Sequence, residues 1–217
     1  MFVKICGITN EDDALLAVAL GADAIGFVFA PSVRQINAQK VYDITRRLPS
    51  EILTVGVFRD EHPKRIIELV HASGVKAAQL HGHERPEDVL AVSQHVRTVI
   101  KGVSAGGVDA ARAHQFHTPY ILVDAPAPGS GKVFDWHLAA EVPVTVNLIL
   151  AGGLTPENVA AGIAQVNPWG VDVSSGVESA PGKKDPLLLK RFIEAARAAE
   201  PPRFDGGDNP PYDWMDE

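Results

Sequence analysis

Short apolar runs rich in β-branched residues recur along the chain, at Phe2–Ile5, Ala24–Phe29, Ile52–Phe58, Ala77–Leu80, Thr98–Ile100, Tyr120–Val123, Thr145–Leu150 and Val171–Val173. Each but the last is followed by Gly, Pro, Asn, Asp or Ser and then a helix-like segment; the last leads through Ser174-Ser175-Gly176 into a terminal helix. Helix ends are also marked. The run Ala14–Leu20 stops at Gly21, and Thr155-Pro156-Glu157 and Asp185-Pro186 each predict a capping residue followed by proline at the first helical position. Runs that are apolar throughout, without alternation, predict strands buried on both faces, and strands alternating with helices predict a parallel sheet. Eight such units predict an α/β fold in the form of a closed (β/α)8 TIM barrel, with a doubly wound open sheet as the alternative. No strand is followed by the full Gly-x-Gly-x-x-Gly fingerprint that would favour the open sheet.

Composition narrows the class. The 217 residues are 46% apolar, with no run approaching the roughly 18 needed to span a membrane. The start, Met1-Phe2-Val3-Lys4-Ile5-Cys6-Gly7, lacks a cationic stretch before an apolar core, so a cytoplasmic protein is expected. Cys6 is the single cysteine, which excludes an internal disulfide and a thiolate-bound structural zinc. The formal charge of −7 argues against a nucleic-acid surface. It is unevenly spread: residues 200–217 carry six acids and one base together with a Gly-Gly pair and four prolines, and are expected to be a disordered acidic tail on a catalytic body at 1–199. That body is nearly neutral and compatible with an anionic ligand. The sequence is compatible with a monomer or a homodimer.

In a barrel the C-terminal strand ends share one mouth, where the chemistry is placed. Reading strand by strand puts there Cys6, the loop Ala30 to Arg34, His81, Asp124, Gly152-Gly153 and Ser174-Ser175-Gly176. The last two loops are small and glycine-bearing, which lets backbone N–H groups approach a phosphate. Cys6 and Asp124 suit a general base and a general acid on two sides of a small substrate. For Cys6 alone a small buried hydrophobe is the commoner role, whereas an acid straight after Tyr120-Ile121-Leu122-Val123 points to a site. The Arg34 fork suits a carboxylate. Asp172 interrupts the eighth strand and predicts an acceptor, for a ligand hydroxyl or for a neighbouring side chain.

Two segments resemble other sites without completing them. Pro126 to Lys132 looks like a phosphate loop but has Pro126 and Val133 where glycine and Ser/Thr are needed, and reads better as a lid beside Asp124. His81-Gly82-His83 would be half a metal site, yet no other strand end supplies a histidine, so no metal is expected and a pocket-wall role is favoured.

These residues are similar to a known family. Lys4-Ile5-Cys6-Gly7-Ile8-Thr9, Gly26-Phe27-Val28-Phe29 with Pro31 and Arg34, Gln79-Leu80-His81-Gly82, Val123-Asp124 with Gly129 to Lys132 and Phe134-Asp135-Trp136, Ala151-Gly152-Gly153-Leu154, and Val171 to Glu178 with Pro181 to Asp185 together resemble phosphoribosylanthranilate isomerase over about residues 2–198. The resemblance implies a tryptophan-pathway Amadori rearrangement of N-(5-phosphoribosyl)anthranilate to 1-(2-carboxyphenylamino)-1-deoxyribulose 5-phosphate, with no cofactor and no metal. It implies Asp124 as acid, Cys6 as base, Arg34 on the anthranilate carboxylate, and the backbone around Gly152-Gly153 and Ser174-Ser175 on the phosphate. The second loop departs from the family's expected Ser-Pro-Arg run. The alternatives are a dual-substrate phosphosugar isomerase, disfavoured because such enzymes have aspartate where Cys6 stands, and a non-catalytic phosphate-binding barrel, which would need neither Cys6 nor Asp124.

Overall fold

A computed structural model of the chain describes residues 1–125, 135–143 and 145–200. The acidic tail from residue 201 onward and the lid-like segment Pro126 to Lys132 lie outside the described residues. Eight parallel strands close into a barrel in sequence order: β1 (Phe2–Ile5), β2 (Ala24–Val28), β3 (Leu53–Phe58), β4 (Ala77–Leu80), β5 (Thr98–Ser104), β6 (Tyr120–Asp124), β7 (Asn147–Leu150) and β8 (Gly170–Val173). The helices are α1 (Glu11–Ala19), α2 (Ala38–Thr45), α3 (Pro63–Ser73), α4 (Pro86–Ser93), the short α5 (Val108–Ala111), α6 (Val159–Val166) and α7 (Pro186–Ala198). The doubly wound alternative is thereby excluded, because β1 pairs with both β2 and β8 and the sheet has no edge. Among the described residues no helix is long and apolar enough to cross a membrane.

Several boundaries differ from expectation for physical reasons. Strand β5 runs on to Ser104, past Lys101 and Gly102, because its partners on β6 supply a continuous ladder up to Ser104 opposite Asp124. Between β6 and β7 the described residues hold a 3-10 turn at Trp136–Glu141, not the expected helix. Thr155-Pro156-Glu157 does not open α6. Thr155 Oγ1 accepts from the Glu157 N–H at 3.2 Å in a preceding turn, and Asn158 stands at the N-cap position of the helix starting at Val159, its Oδ1 accepting the Thr155 N–H at 2.7 Å. Asp185 does cap α7 as expected, its Oδ1 accepting from Leu187 and Leu188 N–H at 2.9 and 3.0 Å. After β8 comes an unexpected antiparallel hairpin of β9 (Glu178–Ala180) and β10 (Lys183–Lys184). It is tied to α1 through the Lys184 N–H, which donates to Asp13 Oδ2 at 2.9 Å.

Strand periodicity divides the residues between two cores. Outward residues such as Val3, Ile5, Ile25, Phe27, Ile121, Val123, Val171 and Val173 pack under the helices. Inward residues Ala24, Val55, Ala77, Ile100, Leu122 and Ile149 fill the lumen, floored by Phe2, Leu53 and Tyr120. Going up the lumen, the same inward faces become polar: Leu122 is followed by Asp124, Ala77 by Gln79 and His81, and Phe2 by Lys4 and Cys6.

The mouth between β4 and β5 is built on a buried charge pair. Lys101 Nζ donates to Glu84 Oε2 at 2.9 Å and to the Gly82 and Gly102 carbonyls at 2.7 and 2.8 Å. Glu84 in turn accepts the N–H groups of Asp60 and Gly82 at 2.9 Å each. Lys101→Met leaves the Glu84 carboxylate buried without its cation and should cost about 3–5 kcal/mol of stability. Urea unfolding measures it, and a loss under about 1 kcal/mol would mean that water replaces the ammonium.

Candidate active site

The C-terminal ends of the strands enclose a cavity of about 230 Å³. Every site residue singled out from the sequence lines it: Cys6, Arg34, Asp124, Gly152, Gly153, Asp172, Ser174 and Ser175. Phe58, Gln79, His81 and Leu154 complete the wall.

Asp124 ends β6, only 9% exposed. Its Oδ1 accepts the Ala125 N–H at 2.7 Å, and Oδ2 lies 3.2 Å from His81 Nε2. The other ring nitrogen of His81 is 2.7 Å from Gln79 Nε2, so β4 supplies a two-residue support that orients the carboxyl group. Gly152, at φ +81°, is held in the left-handed region, and a Cβ there would come within 2.7 Å of Asp124 Oδ1. Only glycine lets the seventh loop fold this close to the acid.

Cys6 follows β1, three strands round the barrel from Asp124, its N–H donating to the Val173 carbonyl at 2.8 Å. Burial pushes its thiol up, while the charges of Lys4 and Lys184 work in the opposite direction. Lys4 Nζ donates to Asp172 Oδ1 at 2.7 Å, so of the two readings of Asp172 the neighbouring side chain is the partner seen.

Arg34 is held rather than free. Its Nε and one terminal nitrogen donate to Glu178 at 2.8 and 2.7 Å in a parallel pair, and Lys184 Nζ reaches the same carboxylate at 3.1 Å. Burial alone would raise the Glu178 carboxyl, but the Arg34 hydrogen bonds and the Lys184 charge outweigh it and hold the group below its usual range. These bonds use one edge of the guanidinium, Nε and one terminal nitrogen. The Gly152-Gly153 turn and the 3-10 turn Ser175–Val177 sit next to each other and line the cavity with small residues.

Known proteins match this chain over most of its length. Residues 3–195 match the family described as N-(5'-phosphoribosyl)anthranilate (PRA) isomerase. The chain belongs to that isomerase family. A relative named N-(5'-phosphoribosyl)anthranilate isomerase from Desulforudis audaxviator is 45% identical over 201 residues, 91% of this chain and 98% of the relative. The crystal structure of the Thermus thermophilus phosphoribosyl anthranilate isomerase superposes with a TM-score of 0.86 at 38% identity, covering 91% of this chain and 99% of that one. A phosphoribosyl anthranilate isomerase in complex with reduced 1-(o-carboxyphenylamino)-1-deoxyribulose 5-phosphate superposes at 0.81 with 41% identity, covering 91% and 99%.

Sequence reasoning did not find Lys4, Glu178 or Lys184, and it placed His81 in the wall without its link to Asp124. Lys4 did leave a signal, a cation inside an apolar strand. Glu178 and Lys184 left no periodic signal, because the hairpin that carries them is short; both stand within the segments that carry the family resemblance. Among the described residues no cluster of His, Cys, Asp and Glu has the arrangement of a metal site.

Glu178→Gln should destabilise the protein and raise KM while the carboxylate would be charged. Since folding lowers the carboxyl's affinity for protons, the contribution is present above the usual glutamate range near 4.5 and is lost as pH falls through the folded value. Thermal melts of the two proteins should therefore differ at pH 7 and converge in acid; an equal gap at every pH would contradict the assignment.

Proposed function

We infer that this chain converts N-(5-phosphoribosyl)anthranilate into 1-(2-carboxyphenylamino)-1-deoxyribulose 5-phosphate by acid–base catalysis, as its family membership and the joint placement of Cys6 and Asp124 in one cavity support. Asp124, protonated, gives its proton to the furanose ring oxygen; the C1–O bond breaks and its electrons go to that oxygen, leaving a protonated Schiff base at C1. Cys6 as thiolate then takes the C2 proton. The C2–H electrons form the C1=C2 bond of an enolamine and neutralise the nitrogen, and tautomerisation gives the ketone. Proton transfers from positioned groups of this kind are worth about 10²- to 10⁴-fold each.

Recognition is divided between two sets of residues in the cavity. Arg34, fixed by Glu178, meets the anthranilate carboxylate with its free edge, and the backbone of Gly152, Gly153, Ser174 and Ser175 takes the phosphate. The oxygen of Asp172 not engaged by Lys4 accepts from a sugar hydroxyl. Holding both ends presents C1 and C2 to the acid and the base, which is where much of the rate is gained. The partner implied is this small phosphosugar-anthranilate, with neither nucleic acid nor membrane. The presence of both the acid and the base favours an enzyme over a binding barrel, and Cys6 in place of aspartate favours the single-substrate isomerase.

Following the loss of substrate fluorescence tests the assignment. Asp124→Asn and Cys6→Ala should each lower kcat by at least about 10²-fold with the circular dichroism unchanged. Turnover near wild type in either variant would remove that residue from its role. Arg34→Ala should raise KM by about 10- to 100-fold, on the scale of a lost charge-assisted pair of hydrogen bonds, and an unchanged KM would place the carboxylate elsewhere.

A further inference from the structure

One buried cation has no part in the reaction as derived so far. Lys4 is 0% exposed, does not line the cavity, and lies two residues before Cys6 on β1, so both side chains point into the lumen one layer apart. Directly across the seam, in register with it on β8, stands Asp172, whose Oδ1 accepts from Nζ at 2.7 Å. The positive charge of the same ammonium also acts on the Cys6 sulfur. Gly26 on β2 makes this possible: a Cβ there would lie 2.9 Å from Cys6 Sγ and 3.2 Å from Lys4 Nζ. The two groups therefore share one small space that any other residue would fill.

We propose that Lys4 is a positioning residue for proton abstraction: its ammonium, aimed by Asp172, stabilises the Cys6 thiolate from beneath while the substrate approaches from the mouth. The proposal rests on Cys6 being the base. The S–H proton leaves to solvent before the step, Lys4 keeps its three protons throughout, and the thiolate becomes a thiol again on taking the C2 proton. The Lys4 ammonium thus faces an anion and a neutral thiol in turn with no change in its own protonation. The other charged groups around the sulfur are Lys184 from β10 and Arg34 from the second loop, which also favour the anion, and Asp172, which opposes it. Asp124 and His81 face it across the cavity. Burial is the force that Lys4 must counter, since it pushes the thiol up.

Because Cys6 is the single cysteine of the chain, alkylation by iodoacetamide reports this thiolate alone. We would measure its rate against pH by intact mass, alongside the pH profile of kcat. Lys4→Met should move the alkylation midpoint up by about one unit or more, roughly tenfold slower reaction at a fixed pH below it, and carry the rising limb of kcat with it. Lys4→Arg, which keeps the charge, should restore most of the shift. Asp172→Asn should move the midpoint down, a change of opposite sign that mere loosening of the site would not produce. An unmoved midpoint in Lys4→Met, or an upward shift in Asp172→Asn, overturns the proposal, and the latter variant serves if Lys4→Met does not fold. A midpoint that moves while the kcat profile stays in place would instead overturn the reading of Cys6 as the base.

Discussion

The closing seam of the barrel is the constraint on which the site depends. Lys4 and Asp172, 168 positions apart in sequence, become cross-strand neighbours only when β1 pairs with β8. Both are buried, so each would be left an uncompensated charge without the other, a loss of about 3–5 kcal/mol. A slip of one residue in that register would turn one of them towards the helices. The register that pairs the charges also sets Cys6 against Val173 and leads straight into Ser174, so the base and the eighth loop are located by the same closure that completes the fold.

Stability and chemistry are separated along the barrel axis. The apolar floor of Phe2, Leu53, Tyr120 and the layer above it, with the outer core under the helices, remove most of the apolar surface from water. This leaves the mouth free to host groups that are costly to bury. Each of these is secured by a specific partner: Lys101 by Glu84, Lys4 by Asp172, Arg34 and Lys184 by Glu178, and Asp124 by the Ala125 amide and His81.

How much of this was legible in the sequence follows from what each element needs. The strands could be read because a doubly buried strand must be apolar along its whole length, and the mouth because a barrel fixes which end of each strand carries function. The residues that end those runs, Cys6, Asp124 and the two glycine loops, followed directly. Partnerships were less accessible. Asp172 stood out inside an apolar run, and Lys4 left the same kind of signal without being singled out, but joining them requires the β1–β8 register. Glu178 and Lys184 sit in a hairpin whose two strands have three and two residues, too short for any periodicity, and so the clamp on Arg34 could not be foreseen. The strand β5 was read short because Lys101 and Gly102 break its apolar pattern, Lys101 being tolerated there only through its burial against Glu84. The helix start at Thr155 was misplaced because Thr-Pro-Glu serves a turn as readily as a first helical turn.

The clamp on Arg34 has a consequence for turnover. Glu178 has already ordered the guanidinium, so a ligand carboxylate meets a receptor whose conformational entropy was lost on folding. The rearrangement alters neither the carboxylate nor the phosphate of the ligand. On the reading proposed here, the two grips hold product as firmly as substrate, and contribute equally to ground state and transition state once both are engaged. Preorganisation of these grips therefore works on affinity, for substrate and product alike, and leaves acceleration of the chemical steps to the acid and the base.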